Sequence, residues 1–345
     1  MVLATLFIMA LQAGAALAVP LHFKAGTLEN LVTFGDSYTD EGRFSYFQQN
    51  HRAPPPGAML PPSNATASGG ASWARFVANS TGAQLYNYAV SGGMCSNNID
   101  SRDLEAIHAP FPSVLEYQVP VFEQDILSQE LYPRRRADNT VYALWIGTND
   151  VGVYGFLGDK NKENTTLTSY LDCNWQVFDH VYHAGGRHFV ILNMAPLRHA
   201  PMYASPGEYG PLNSVYAHDP ASYVVPEVSH KLHEYVSSIN TMFEYGAAFN
   251  LAVKRRWPGA TLSVFDVHTL MMDVLVEPAR YLDEPVNLKA PYRICKDDGC
   301  VDSKEPKTSF MWYDELHPSE RMHTIFAKHF MEVVRGRSRY GQYYA

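Results

Sequence analysis

Five short apolar runs, LVTF (31–34), AQLYNYAV (83–90), TVYALWI (140–146), HFVILNM (188–194) and TLSVFDV (261–267), are each closed by turn-forming residues. Runs of this length without polar alternation fit strands buried on both faces, as in a parallel sheet. Helical patterns separate them. The clearest puts Leu232, Val236, Ile239 and Phe243 on one face and stops at Trp257-Pro258-Gly259; another ends at Gly185-Gly186, and a last one starts after Pro318. Strand alternating with helix over this many repeats predicts an α/β fold, a parallel sheet sandwiched between two layers of helices. Three stretches, 53–70, 196–226 and 277–310, are rich in loop-forming residues; loops of that length in a folded domain are usually functional, and these are expected to wall a cleft.

The first twenty residues are apolar and end in the small-residue pattern Ala16-Leu17-Ala18, which predicts a secretory signal at 1–18 followed by one domain over 19–345. The stretch is too short to span a bilayer comfortably, and no membrane association is expected. Three sequons, at Asn64, Asn79 and Asn164, match the glycosylation acceptor of an exported protein. Of four cysteines, Cys295 and Cys300 bracket a turn-forming KDDG and are spaced to close a small disulfide loop, which leaves Cys95 to pair with Cys173. No CxxC or HExxH occurs, so no metal is expected. The net charge of −8 argues against nucleic acid, and the cluster Arg134-Arg135-Arg136 reads as a solvated loop.

Ligands of open α/β sheets bind outside the carboxyl ends of the strands, and three motifs fall there. Ser37 follows the first run in FGDSYTDEG, Ser91-Gly92-Gly93 follows the second, and Gly147-Thr148-Asn149-Asp150 follows the third. Near the carboxyl end, WYDELHPSE places Asp314 three residues before His317. A serine hydroxyl becomes a nucleophile only when a base takes its proton, and a carboxylate must fix that base's tautomer; Ser37, His317 and Asp314 suit these roles. A tetrahedral oxyanion then needs donors, for which the Ser37 and Gly92 backbone N–H groups and the Asn149 amide are candidates. Asp36 and Asp150 read as residues that brace their turns. His199, His268 and His323 read as packing or surface residues. Trp312 and Tyr313, beside the Asp314 turn, flank the cleft or fill the core.

At Gly35-Asp36-Ser37, the Gly92 loop, Gly147-Thr148-Asn149-Asp150 and Asp314-x-x-His317, the sequence resembles the SGNH, or GDSL-type, hydrolases, with GDSY in place of GDSL. The resemblance implies a flavodoxin-like three-layer sandwich and ester hydrolysis without metal or cofactor. It also implies a triad of Ser37, Asp314 and His317, and the spacing from Asn87 selects Gly92 over Gly93. FGDSYTDEGR, SGGMCSN, WIGTND and MWYDELHPSE are further similar to secreted fungal acetylesterases of carbohydrate esterase family 16. That likeness implies an acetylated oligosaccharide of plant-wall origin as substrate, and the chain is expected to be an extracellular monomer. Two other readings are a lipase for longer acyl chains and a secreted carbohydrate-binding glycoprotein. APPPGAML is too short and proline-rich for an apolar lid, and the intact Ser37, Asn149, Asp314 and His317 argue against a binding-only role.

Overall fold

The computed structural model describes residues 28–204, 216, 225–296 and 299–345; the expected leader, 1–18, lies outside them. The five apolar runs form β1 (Asn30–Gly35), β2 (Gln84–Asn87), β3 (Thr140–Trp145), β4 (His188–Leu192) and β5 (Thr261–Phe265). They pair in parallel in the order β2-β1-β3-β4-β5, the strand order of flavodoxin-like folds. Every residue of β1 and β3, the two central strands, is buried, as apolar runs without alternation require. A sixth strand, β6 (Gly341–Tyr344), adds antiparallel to β5 at the sheet edge. No apolar run announced it: its GQYY residues are only half-buried.

The helices are α1 (Arg43–Asn50), α2 (Trp73–Thr81), α3 (Val119–Asp125), α4 (Thr148–Val151), α5 (Leu167–His183), α6 (Val225–Ala248), α7 (Val267–Val276) and α8 (Glu320–Val334). They cover both faces of the sheet, as β3 shows. Trp145 packs edge-on against Phe326 of α8 and against Trp73 of α2, whereas Tyr142, three residues earlier and on the other face, packs against Phe122 of α3. The predicted stripe of α6 is the buried one: Leu232, Val236, Ile239 and Phe243 are each at most 3% exposed. The last helix begins at Glu320, its cap being Ser319, whose hydroxyl accepts the Met322 N–H at 3.3 Å.

The stretch 53–70 is irregular throughout, as expected, and 277–310 contains a hairpin, Arg293–Lys296 with Gly299–Asp302. The disulfides pair Cys95 with Cys173 and Cys295 with Cys300. All three sequon asparagines are exposed. Register brings the site together: β1 and β3 end level, Gly35 beside Trp145, and β2 ends at Asn87, beside Thr33 two residues before Gly35, so the three strands release their turns on one side.

Candidate active site

The first strand stops where its neighbours leave no room for a side chain. Gly35 has φ +154°, and a Cβ built on it would lie 2.2 Å from the Trp145 carbonyl oxygen. The Gln118 amide grips this glycine from both sides, accepting its N–H at 2.9 Å and donating to its carbonyl at 2.8 Å. Asp36 then forms the turn. Its Oδ1 accepts the Tyr38 N–H at 3.0 Å, and its carbonyl accepts from Thr39 and Asp40. Ser37 stands at the apex, 6% exposed.

The chain meets Ser37 again 280 residues later, where His317 Nε2 lies 2.8 Å from Ser37 Oγ. His317 Nδ1 lies 2.8 and 2.9 Å from the two oxygens of Asp314. Asp314 Oδ1 also accepts the N–H groups of Leu316 and His317, at 2.9 and 2.8 Å, so one tight turn orients carboxylate and imidazole together. Burial alone would raise the Asp314 pKa, but the charge and hydrogen bond of His317, with the two backbone donors, hold it below the ordinary carboxylate value. Burial would likewise lower the His317 pKa; the Asp314 charge and hydrogen bond outweigh it and push it up. With Nδ1 directed at the carboxylate, Nε2 of the neutral imidazole is the nitrogen free to accept the serine proton.

Two backbone donors, one in the serine turn and one in the glycine loop, are left unused. Among the described residues, no acceptor takes the N–H of Ser37 or of Gly92. The Gly93 N–H is used, donating to the Val90 carbonyl at 2.8 Å, which favours Gly92 over Gly93 as the available donor. Asn149 is in the first turn after β3 and is buried; its Nδ2 donates to the Gly93 carbonyl at 2.9 Å, which ties the amide to the glycine loop and leaves its second N–H for another acceptor. The structure thus brings Ser37, His317 and Asp314 into direct contact and sets Asn149 against the Gly92 loop.

Asp36 and Asp150 each use one oxygen to hold a backbone N–H, those of Tyr38 and Cys95, and each has its Oδ2 buried without a partner. Burial raises both pKa values to about 7, opposed by those N–H groups and, at Asp36, by the His317 charge and by Thr148. His323 is buried, accepts the Trp73 N–H, and has its pKa pushed down to about 3 by burial. Trp312 is wholly buried and belongs to the core; Tyr313 is 8% exposed and stacks on Tyr292.

Three residues at the site had no mark in the sequence. Tyr216 donates to Asp314 Oδ2 at 3.1 Å and lays its ring edge-on to His317; only its place in the loop-rich stretch 196–226 hinted at it. Asp40 accepts the Ser91 N–H at 2.8 Å as well as the N–H groups of Gly42, Arg43 and Phe44, joining the serine turn to the glycine loop. Gln118 is the third.

A family model described as GDSL-like lipase/acylhydrolase matches residues 31–330. The chain belongs to that family. An acetylesterase of Hypocrea jecorina is 44% identical over 318 residues, 91% of this chain and 91% of the relative. An acetylesterase of Thermothelomyces thermophilus is 32% identical over 194 residues, 54% of this chain and 60% of the relative. A solved structure of a catalytic mutant of an acetylxylan esterase from Geobacillus stearothermophilus aligns over 89% of this chain and 94% of that one at 15% identity, with a TM-score of 0.38 too low to argue from. As a member of the family, the protein is a carboxylic ester hydrolase.

Proposed function

We propose that the protein is a secreted serine esterase that removes acetyl groups from acetylated plant-wall oligosaccharides. The observation that carries the catalytic part is the continuous chain Ser37–His317–Asp314, with contacts of 2.8 Å at each link, and, among the described residues, no acceptor on the N–H of Ser37 or Gly92. Neutral His317 takes the Ser37 proton as Oγ attacks the ester carbonyl. The N–H groups of Ser37 and Gly92 and the amide of Asn149 hold the oxyanion. The sugar hydroxyl leaves with the proton from His317, and water then repeats the cycle on the acetyl-enzyme.

The acetyl group and the sugar rest on the 44% identical acetylesterase and on the resemblance to fungal carbohydrate esterases. Two disulfides and three exposed sequons suit an exported chain, with residues 1–18 as its leader and 19–345 as one esterase domain. No helix among the described residues is long and apolar enough to cross a membrane.

The test is acetate release from acetylated xylo-oligosaccharides, run beside 4-nitrophenyl acetate and octanoate and a Ser37→Ala variant. Acetate release that disappears in the variant, with acetate preferred over octanoate, is the expected result. Preference for octanoate would replace the acetylesterase reading with a lipase. Undiminished hydrolysis by Ser37→Ala would remove the site.

A further inference from the structure

The glycine loop after β2 cannot hold its own shape, because Ser91, Gly92 and Gly93 offer one hydroxyl and no other polar side chain. Its backbone is anchored from outside. Asp40 takes the Ser91 N–H at 2.8 Å, Asn149 donates to the Gly93 carbonyl at 2.9 Å, and the Val90 carbonyl takes the Gly93 N–H. The remaining anchor is Arg102, whose Nη2 donates to the Gly92 carbonyl.

Arg102 is itself held in place. Its guanidinium carbon lies 4.1 Å from the ring centre of Phe111 and 4.9 Å from that of Tyr154, distances at which a cation is attracted to an aromatic face. The Phe111 N–H donates to the Arg102 carbonyl at 2.8 Å, next to the short ladder of Asp103–Leu104 with Ala109–Pro110. The contact with the glycine is direct, since a Cβ on Gly92 would meet both Arg102 Nη2 and Phe111 Cζ at 2.8 Å. Arg102 Nε is buried with no acceptor, so the guanidinium does not sit where its own donors are best satisfied.

The peptide unit joining Ser91 to Gly92 carries the unbonded N–H. Asp40 anchors the unit before it, and Arg102 together with the Val90 carbonyl the unit after it, so the direction of that N–H is left to two torsions, ψ of Ser91 and φ of Gly92. Gly92 has φ +82°, and glycine populates positive and negative φ almost equally, so with Arg102 gone the unit after it is held through the Gly93 N–H alone and the donor can drift. The hydrogen bond from a guanidinium is charge-assisted, stronger than one between neutral groups. We propose that Arg102 is a positioning residue that aims the Gly92 N–H at the oxyanion, an inference that rests on Ser37 as nucleophile and Gly92 as donor. Arg102 does not touch the reacting atoms; it acts through the glycine.

The experiment compares wild type with Arg102→Met and Arg102→Lys on 4-nitrophenyl acetate, and measures inhibition by methylboronic acid, which forms a tetrahedral adduct on a nucleophilic serine. Losing a whole oxyanion donor costs 10²–10³ in kcat, and misaiming one should lower kcat of Arg102→Met by about tenfold with KM within twofold. Methylboronic acid should bind more weakly by the factor lost in kcat/KM, and Arg102→Lys should recover part of both. A folded Arg102→Met with kcat/KM within twofold of wild type, or one that loses kcat and keeps its boronic acid affinity, overturns the proposal while the esterase reading stands. Wild type that fails to hydrolyse the ester any faster than Ser37→Ala removes that reading and the proposal with it. Should Arg102→Met not fold, Arg102→Lys and Phe111→Leu, which loosens only the stacking, carry the same comparison, and unchanged kcat in both overturns it.

Discussion

Replacing Asp36 by asparagine should free the folded protein from a penalty that grows as the pH rises. The Asp36 carboxyl is 1% exposed, accepts one backbone N–H through Oδ1, and leaves Oδ2 without a partner. Burial pushes its pKa from 3.8 to about 7. Between those values the native protein keeps a proton that the unfolded chain has released, so stability falls as pH rises through this window. Below 3.8 the group contributes nothing, and above about 7 the full penalty is present. At 1.36 kcal/mol per pH unit, that span is worth at most about 4 kcal/mol. Asparagine keeps the acceptor for Tyr38 and cannot ionise. It also relieves Asp150, whose own pKa of about 7 is raised in part by the Asp36 charge. Thermal unfolding followed by circular dichroism should give wild type and Asp36→Asn similar melting temperatures near pH 4. By pH 8 the variant should melt several degrees higher, at about 2 °C per kcal/mol for a protein of this size. Parallel melting curves across that range would refute the assignment of a buried, proton-holding carboxyl beneath the serine.

Three kinetic outcomes follow from the site geometry. His317 acts as a base only when neutral and its pKa is pushed up, so kcat/KM should decline on the acid side from above the ordinary histidine value. Tyr216→Phe removes a donor from Asp314, leaves that carboxylate more negative and should move the acid limb to higher pH; a limb that stays in place refutes the Tyr216 role. Asn149→Ala should lower kcat by about 10²–10³ on 4-nitrophenyl acetate, and a loss under about threefold would exclude its amide from the oxyanion site.

What was legible in the sequence is what local pattern encodes. The five parallel strands follow from apolar runs that need no partner to be recognised. The Asp314–His317 pair is also local: three residues in one turn bring the carboxylate to Nδ1 and to two backbone N–H groups at once. Residues whose function depends on a distant contact carry no such pattern. Gln118 is an ordinary glutamine until the fold sets its amide around Gly35, 83 positions away. Arg102 and Tyr216 are equally silent, because what matters is the carbonyl or carboxylate each one meets. The edge strand β6 was missed for a related reason, since it has a neighbour on one side only and buries too little to leave an apolar run. Asp36 does brace its turn as read, whereas Asp150 holds the Cys95 N–H, 55 positions away. The unpartnered second oxygen on each follows from burial, which only the assembled core creates.

The 280-residue separation between Ser37 and His317 also bears on how the protein is made. The serine turn, the glycine loop and Asn149 all lie within the first half of the chain, while His317 and Asp314 arrive together near the end of translation. A fragment that stops before Asp314 carries Ser37 without the base proposed for it. On the proposed triad, hydrolytic competence would await the docking of this last turn on the sheet.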